Sequence, residues 1–236
     1  MKKKLIAGNW KMNGSFAANE ALVRAILPGL ASGGCTVAVC VPAPYLAQVS
    51  MLRTMTDLEL GAQDVSVHEQ GAFTGEVSAA MLHEVGAYGT LVAHSERRQW
   101  FGETDESAAA RVRTALAEGL DVIACVGETL AEREAGETEA VLRRQVGVLE
   151  HDDNLVIAYE PVWAIGTGKT ATPAMAQEAH ETIKSLLDVP VLYGGSVKPE
   201  NAAELLAQPA VDGALVGGAS LDVDSFAAIC RAAVTS

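Results

Sequence analysis

Residues 155–160 read Leu-Val-Ile-Ala-Tyr-Glu, five apolar residues that end directly at a carboxylate. The apolar residues are continuous rather than alternating, which is typical of a strand buried on both faces of a sheet. Strands of that kind are usually parallel, and ligands bind at the carboxyl ends of parallel strands. The stretch therefore predicts a buried strand over Leu155–Tyr159, with Glu160 at the end where chemistry is expected.

Runs of the same kind recur along the whole chain. The eight runs are Leu5–Ala7, Thr36–Val41, Leu58–Leu60, Thr90–Ala93, Val122–Val126, Leu155–Tyr159, Val189–Tyr193 and Ala214–Val216. Helix starts are predicted near Pro44, Asp105, Pro173 and Pro199, and helix ends at Gly86 and Gly119. Successive runs start roughly 20 to 35 residues apart, which leaves room for one crossover helix between each pair.

The alternation of strands and helices predicts an α/β fold with one of two architectures, an open doubly wound sheet or a closed (β/α)8 barrel. Eight strands in 236 residues favour the barrel without excluding the open sheet. No Pro-rich, Ser-rich or charged linker divides the chain, so residues 1–236 are predicted to form a single domain. The 16-residue stretch Ala62–Val77 has no helix or strand pattern, which is typical of a functional loop or an interface.

Composition excludes several function classes. The 30 acidic and 17 basic residues give a formal net charge of −13, which disfavours nucleic acid and anionic membranes as partners. No apolar run reaches the roughly 18 residues that span a bilayer, and Leu5–Ala7 is too short for the core of a signal peptide. The four cysteines form no CxxC motif, which predicts reduced thiols and a cytoplasmic protein.

Polar residues and glycine pairs follow six of the eight runs. They are Asn9, Lys11, Gln63, His94, Ser95, Glu96, Glu160, Gly194, Gly195, Ser196, Gly217 and Gly218. Glu160 lies among the apolar residues Tyr159, Pro161 and Trp163, a setting expected to raise its pKa toward the range of a general base. The glycine pairs after the last two strands are expected to present backbone N–H groups to one phosphate. These strand ends therefore place a carboxylate, an imidazole and a lysine charge on one rim of the predicted sheet.

Other motifs fit the sequence less well. Residues 166–171 match the dinucleotide pattern GxGxxA but begin several residues after Glu160 rather than tightly after the strand. A P-loop would need glycine at Trp163. Residues 194–198 would form a nucleophile elbow only if Lys198 were glycine. The histidines have no metal-ligand spacing, so no metal site is predicted.

Five motifs together resemble the triosephosphate isomerase family. They are Gly8-Asn9-Trp10-Lys11-Met12-Asn13, Ala93-His94-Ser95-Glu96-Arg97-Arg98, the stretch Ala158–Gly168, Tyr193-Gly194-Gly195-Ser196-Val197 and Leu215-Val216-Gly217-Gly218-Ala219. The resemblance covers the entire chain and implies a single TIM barrel. It implies an isomerase of glycolysis and gluconeogenesis that interconverts dihydroxyacetone phosphate and D-glyceraldehyde 3-phosphate. It also implies a cytoplasmic homodimer that needs no metal and no organic cofactor.

The resemblance implies roles for several residues of these motifs. Glu160 would transfer the proton between carbons, and neutral His94 would polarise the carbonyl. Lys11 would supply positive charge with the acidic Glu96 close to it, and Asn9 would hydrogen-bond the substrate. The phosphate would be held by Gly166, Ser196, Gly217 and Gly218.

Two loops gain a function through the same resemblance. Pro161–Lys169 would be a lid that brings the N–H of Gly166 to the phosphate. Ala62–Val77 would be the dimer loop, with Thr74 near its tip reaching the partner's site. The candidate intersubunit partners are Glu76 and Arg97.

Two alternatives of other classes follow from the residues. A dinucleotide-binding module built on Gly166–Ala171 would bind NAD. A different phosphate-binding barrel, such as an aldolase, would need a lysine on a late strand for a Schiff base, and no strand after the sixth carries one. Turnover of glyceraldehyde 3-phosphate without metal or nucleotide separates these interpretations.

Overall fold

The computed structural model describes residues 3–30, 34–165 and 170–234. Eight parallel strands form one closed barrel in chain order, and the last strand pairs with the first. The strands are β1 (Leu5–Asn9), β2 (Thr36–Cys40), β3 (Leu58–Ala62), β4 (Gly89–Val92), β5 (Asp121–Val126), β6 (Leu155–Tyr159), β7 (Val191–Tyr193) and β8 (Gly213–Val216). All eight predicted strands are confirmed, and the closed barrel rules out the open sheet.

The helices lie between the strands. Those in the described residues are α1 (Phe16–Leu30), α2 (Leu46–Leu52), α3 (Ala79–Glu84), α4 (Ser95–Phe101), α5 (Asp105–Ala117), α6 (Leu130–Glu134), α7 (Thr138–Val146), α8 (Pro173–Leu186), α9 (Pro199–Leu206) and α10 (Val223–Val234). Short 3-10 helices occupy Ala43–Tyr45, Val162–Ala164 and Gly218–Leu221. The predicted starts at Pro173 and Pro199 are confirmed, whereas the segment after Pro44 opens with a 3-10 turn.

Alternation along each strand divides the core into two layers. In β5, Ile123 and Cys125 face the barrel interior, whereas Val122 and Ala124 pack under the helices. The interior layer consists largely of small or medium side chains: Ala7, Ala38, Cys40, Leu91, Ile123, Cys125, Ala158, Leu192 and Leu215. Side chains of this size fill the narrow interior of an eight-stranded barrel, so the barrel is a packed core rather than a channel.

The described residues contain no helix that is both long and apolar enough to cross a membrane. The cysteines Cys35, Cys40, Cys125 and Cys230 are all free. Burial raises the pKa of the Cys40 thiol to about 12, which keeps this thiol protonated and unreactive.

The seam between β8 and β1 needs glycine at position 213. Gly213 pairs with Leu5, and a Cβ atom at Gly213 would lie 1.9 Å from the carbonyl oxygen of Leu5. The contact is with backbone, so a side chain here would push the two strands apart. Closure of the barrel therefore depends on the missing side chain.

We predict that Gly213→Ala lowers the free energy of unfolding by about 3 kcal/mol or more, because a clash with backbone in a packed region cannot relax locally. The control is Gly136→Ala, where φ is +75° but no atom lies within 4 Å of the added Cβ. In that variant the free energy of unfolding should fall by only about 1 to 2 kcal/mol, the cost of placing a residue with a side chain in the left-handed backbone region. Urea denaturation measures both, and equal losses would contradict the role of the seam.

Candidate active site

The carboxyl ends of the strands surround a cavity of about 440 Å³. The predicted site residues that line it are Asn9, Lys11, His94, Glu160, Ser196, Gly217 and Gly218. Glu96 joins the site through its contact with Lys11. Gly166 lies outside the described residues, as does most of the competing GxGxxA motif. The structure thus brings together every predicted site residue that it describes.

Glu160 and His94 form the closest pair in this cavity. His94 Nε2 lies 2.8 Å from Glu160 Oε1, and the backbone N–H of Ser95 donates to Glu160 Oε2 at 2.8 Å. The side chains of Glu160 and His94 are both buried. One carboxylate oxygen is therefore bound to the imidazole and the other to the first residue of α4.

The expectation that apolar surroundings raise the pKa of Glu160 is wrong for this arrangement. Burial does raise it, but the charge and hydrogen bond of His94 outweigh burial, with the Ser95 N–H and Lys11 adding to their effect. The pKa of Glu160 is lowered as a result. The carboxylate is ionised in the resting site.

Contacts at both ring nitrogens, with the Glu96 N–H and with Glu160, hold the His94 side chain in one orientation. Its Nδ1 accepts a hydrogen bond from the backbone N–H of Glu96 at 3.2 Å, at the N-terminus of α4. A nitrogen that accepts carries no proton, so the proton of the neutral ring lies on Nε2 and faces Glu160. Burial lowers the pKa of His94, but the charge and hydrogen bond of Glu160 raise it more. The neutrality of His94 during catalysis stays a prediction.

Lys11 has a left-handed backbone conformation that side-chain hydrogen bonds from Asn9 and Gln63 stabilise. Its φ is +53°, which is rare for a residue with a side chain. Asn9 Oδ1 accepts from the Lys11 N–H at 2.9 Å, and Gln63 Nε2 donates to the Lys11 carbonyl at 2.9 Å. The Lys11 Nζ lies 2.5 Å from Glu96 Oε1. Asn9 thus positions Lys11 in addition to lining the cavity.

The glycine pairs approach the functional side chains closely. A Cβ atom at Gly194 would lie 2.9 Å from Glu160 Cγ, and one at Gly217 would lie 3.4 Å from Lys11 Cε. A Cβ atom at Gly218 would meet nothing within 4 Å, so this backbone faces open space. These distances place the backbones of Gly194 and Gly217 beside the Glu160 and Lys11 side chains.

A family model described as triosephosphate isomerase matches residues 4–233 of the chain. The chain belongs to the triosephosphate isomerase family. It is 54% identical over 246 residues to the triosephosphate isomerase of Albidiferax ferrireducens, covering 99% of this chain and 100% of that protein. It is 54% identical over 248 residues to that of Herminiimonas arsenicoxydans, with 99% and 100% covered. It is 55% identical over 248 residues to that of Paracidovorax citrulli, with 98% and 99% covered.

Membership of the triosephosphate isomerase family confirms the resemblance found in the five motifs. The chain is therefore an isomerase with the TIM barrel fold, in a family whose name places it in glycolysis. Among the residues that the structure describes, no group of three or more His, Cys, Asp and Glu side chains could hold a metal ion.

Glu128 is a buried carboxylate of this triosephosphate isomerase family member that the sequence interpretation missed. It is fully buried and accepts hydrogen bonds from Tyr159 Oη at 3.1 Å, Trp163 Nε1 at 2.9 Å and Arg133 Nη1 at 3.1 Å. Its own carbonyl accepts from the N–H of Val162 at 3.1 Å. Glu128 thus fixes the first residues after Glu160 to the barrel. The available signal was its place just after β5, a strand end for which no residue was proposed.

The predicted dimer loop has no helix or strand between Gln63 and Ser78. At its base Arg97 pairs with Asp64 at 2.7 Å and with Glu103 at 2.5 Å. The guanidinium of Arg97 is therefore already bound within the chain. The other candidate intersubunit residue, Glu76, lies 3.9 Å from Arg111.

We predict that Glu128→Gln lowers the free energy of unfolding by about 3 kcal/mol, because it removes a buried charge from the three donors arranged around it. Glu134→Gln is the control, since it makes the same charge change at an exposed position on α6. Chemical denaturation followed by circular dichroism compares the two. Similar stability of both variants would contradict a structural role for the Glu128 carboxylate.

Proposed function

We propose that this chain interconverts dihydroxyacetone phosphate and D-glyceraldehyde 3-phosphate, in glycolysis and gluconeogenesis, by proton transfer through an enediolate. The observation that carries the proposal is the 2.8 Å contact between Glu160 and His94 in a cavity that is also lined by Lys11 and by two pairs of glycines. The test is direct. In D₂O, the protein should convert either triose phosphate into the other and exchange the hydrogen on the carbon next to the carbonyl, as followed by proton magnetic resonance.

The proton transfer begins with a rearrangement of the resting pair. A separation of 2.8 Å between His94 Nε2 and Glu160 Oε1 leaves no room for a substrate carbon and its carbonyl oxygen. The substrate must therefore part the two side chains. Burial remains when His94 is displaced, so the pKa of Glu160 is expected to rise and the carboxylate becomes a stronger base.

The same separation prepares His94 as the electrophile. Glu160 is the principal cause of its raised pKa, so parting the pair leaves burial and the charge of Lys11, which lower the pKa of His94, against the smaller raising effect of the Glu96 charge. The ring then stays neutral, with Nδ1 bound to the Glu96 N–H and Nε2–H directed at the substrate oxygens. A neutral donor can give its proton to one oxygen and take one from the other as the enediolate reacts.

Lys11 and the glycine backbones support the charged parts of the substrate. Lys11 stabilises the negative charge that develops on the enediolate oxygen. The N–H groups of Gly217 and Gly218, with Ser196, hold the phosphate, and the family resemblance adds Gly166 to this set. Every step is assigned to a side chain or backbone group, so the proposed mechanism uses no metal or organic cofactor.

We predict that Glu160→Gln lowers kcat by at least about 10² to 10⁴-fold with a modest change in KM, because it removes the base and leaves the phosphate contacts. The control is Glu59→Gln, a partly buried carboxylate on β3 away from this cavity. Its kcat should stay within about twofold of the wild type. If Glu160→Gln kept more than half of the wild-type kcat, another group would be the base.

We further propose a homodimer formed through the loop Ala62–Val77. All residues from 68 to 76 are exposed, and Phe73 stacks on His68 with ring centroids 3.5 Å apart. The base of the loop is closed by the Ser66 N–H, which donates to the Val77 carbonyl at 2.8 Å. An ordered, projecting loop with an exposed aromatic tip is suited to insertion into a partner.

Replacing residues 69–75 by Gly-Gly should give a monomer with strongly reduced activity. The replacement removes the tip of the loop but retains the hydrogen bond between Ser66 and Val77 at its base. Sedimentation velocity and the isomerase assay at the same concentration measure both effects. The control is Met55→Asp, a fully exposed apolar residue before β3, at the other end of the barrel. A shortened protein that stays dimeric, or an active monomer, would refute the role of the loop.

The remaining proposals concern location and domain organisation. Cytoplasmic residence is supported by four free cysteines, because thiols persist in a reducing compartment. A single domain over residues 1–236 is supported by the barrel, whose first and last strands pair with each other.

A further inference from the structure

Lys198 is a second lysine of the catalytic cavity, with no role in the mechanism above. It lines the cavity together with Glu160 and Lys11, and it is exposed. Lys11 is already neutralised by Glu96 at 2.5 Å. In the described part of the chain, by contrast, no carboxylate lies within 4.0 Å of Lys198. Of the two lysines that line the cavity in the described residues, Lys198 is therefore the one without a carboxylate partner.

The position of Lys198 is unfavourable for the helix that it precedes. It is the N-cap residue of α9, and its side chain makes no capping hydrogen bond. Ser, Thr, Asp and Asn are the residues that stabilise this position, and a cation opposes the positive end of the helix dipole. The cap is supplied instead by Asn201, whose Oδ1 accepts from the Lys198 N–H at 2.8 Å. Helix stability does not account for lysine at this position.

The net charge of the chain and the paired charges in the cavity suggest a role for Lys198 in attracting an anion. A formal charge of −13 repels a phosphate dianion at long range. Within the cavity, Lys11 is paired with Glu96, and Glu160 is paired with His94, so these groups contribute little net attraction. An unpaired cation at the helix end adjoining the Gly194–Ser196 backbone adds attraction where the phosphate is proposed to bind.

We propose that Lys198 draws the substrate's phosphate dianion into the cavity, and that it acts on association rather than on the chemical step. This inference rests on the proposed function. Lys198 provides the electrostatic attraction for the incoming substrate. Lys11 stabilises the negative charge of the enediolate.

The test compares Lys198→Ser with the wild type across ionic strengths from about 0.01 to 0.3 M, a range over which the Debye length falls from about 30 Å to below 10 Å. At the lowest salt, kcat/KM should fall about tenfold, because one steering charge is lost. The kcat should stay within about twofold, and the dependence of kcat/KM on salt should flatten. Serine is a favourable N-cap, so the melting temperature should be unchanged or higher. Lys198→Arg should retain the wild-type behaviour.

The matched control is Lys3→Ser, which makes the same charge change at an exposed lysine just before the N-terminal end of β1. It should leave kcat/KM and its salt dependence unchanged. Equal effects of Lys3→Ser and Lys198→Ser would overturn the proposal, because only net charge would then matter. A loss confined to kcat would also overturn it, since Lys198 would then act on chemistry.

Binding of inorganic phosphate, measured by calorimetry at low salt, separates this inference from the proposed function. Weaker phosphate binding by Lys198→Ser than by Lys3→Ser supports the role of Lys198 even if the wild type fails to isomerise triose phosphates. Equal phosphate binding by the two variants contradicts that role even if the isomerase activity is present.

Discussion

Closure of the barrel is the constraint on which the rest of the molecule depends. Parallel pairing of β8 with β1 converts eight separate strand ends into one ring, so residues far apart in the chain become neighbours. Lys11 after β1 and Gly217 after β8 illustrate this, since only 3.4 Å separates Lys11 Cε from the Cβ position of Gly217. The cavity exists because these ends meet, and its walls combine polar side chains, glycines and apolar residues that follow different strands.

Within that ring, His94 and Glu160, the two groups proposed to react, shift each other's pKa. The contact between His94 and Glu160 lowers the pKa of the carboxyl and raises that of the imidazole, which are the wrong directions for a base and a neutral electrophile. Burial opposes both shifts. In the proposed mechanism, a substrate that separates the pair shifts both pKa values in the useful direction at once, and the resting site keeps the hydrogen-bonded contact until then.

The strands and most site residues were predictable because their signals are local. Continuous apolar runs mark strands buried on both faces, and a polar residue directly after such a run marks the rim. The pKa of Glu160 was not predictable, because its apolar neighbours in sequence are overruled by His94, which arrives from another strand. Glu128 was missed for the same reason, since its partners Tyr159 and Trp163 become neighbours only when β5 and β6 pair.

The hydrogen bond from Trp163 to Glu128 also has an optical consequence. The chain contains three tryptophans in three different settings: Trp10 is buried in the core, Trp100 is 72% exposed, and Trp163 lies against a carboxylate with the guanidinium of Arg133 over its ring at 4.7 Å. Indole emission responds to neighbouring charge and to water. The segment that borders the cavity therefore carries its own fluorophore, and substitution of Trp10 and Trp100 would leave a single intrinsic reporter of that segment's contact with the barrel.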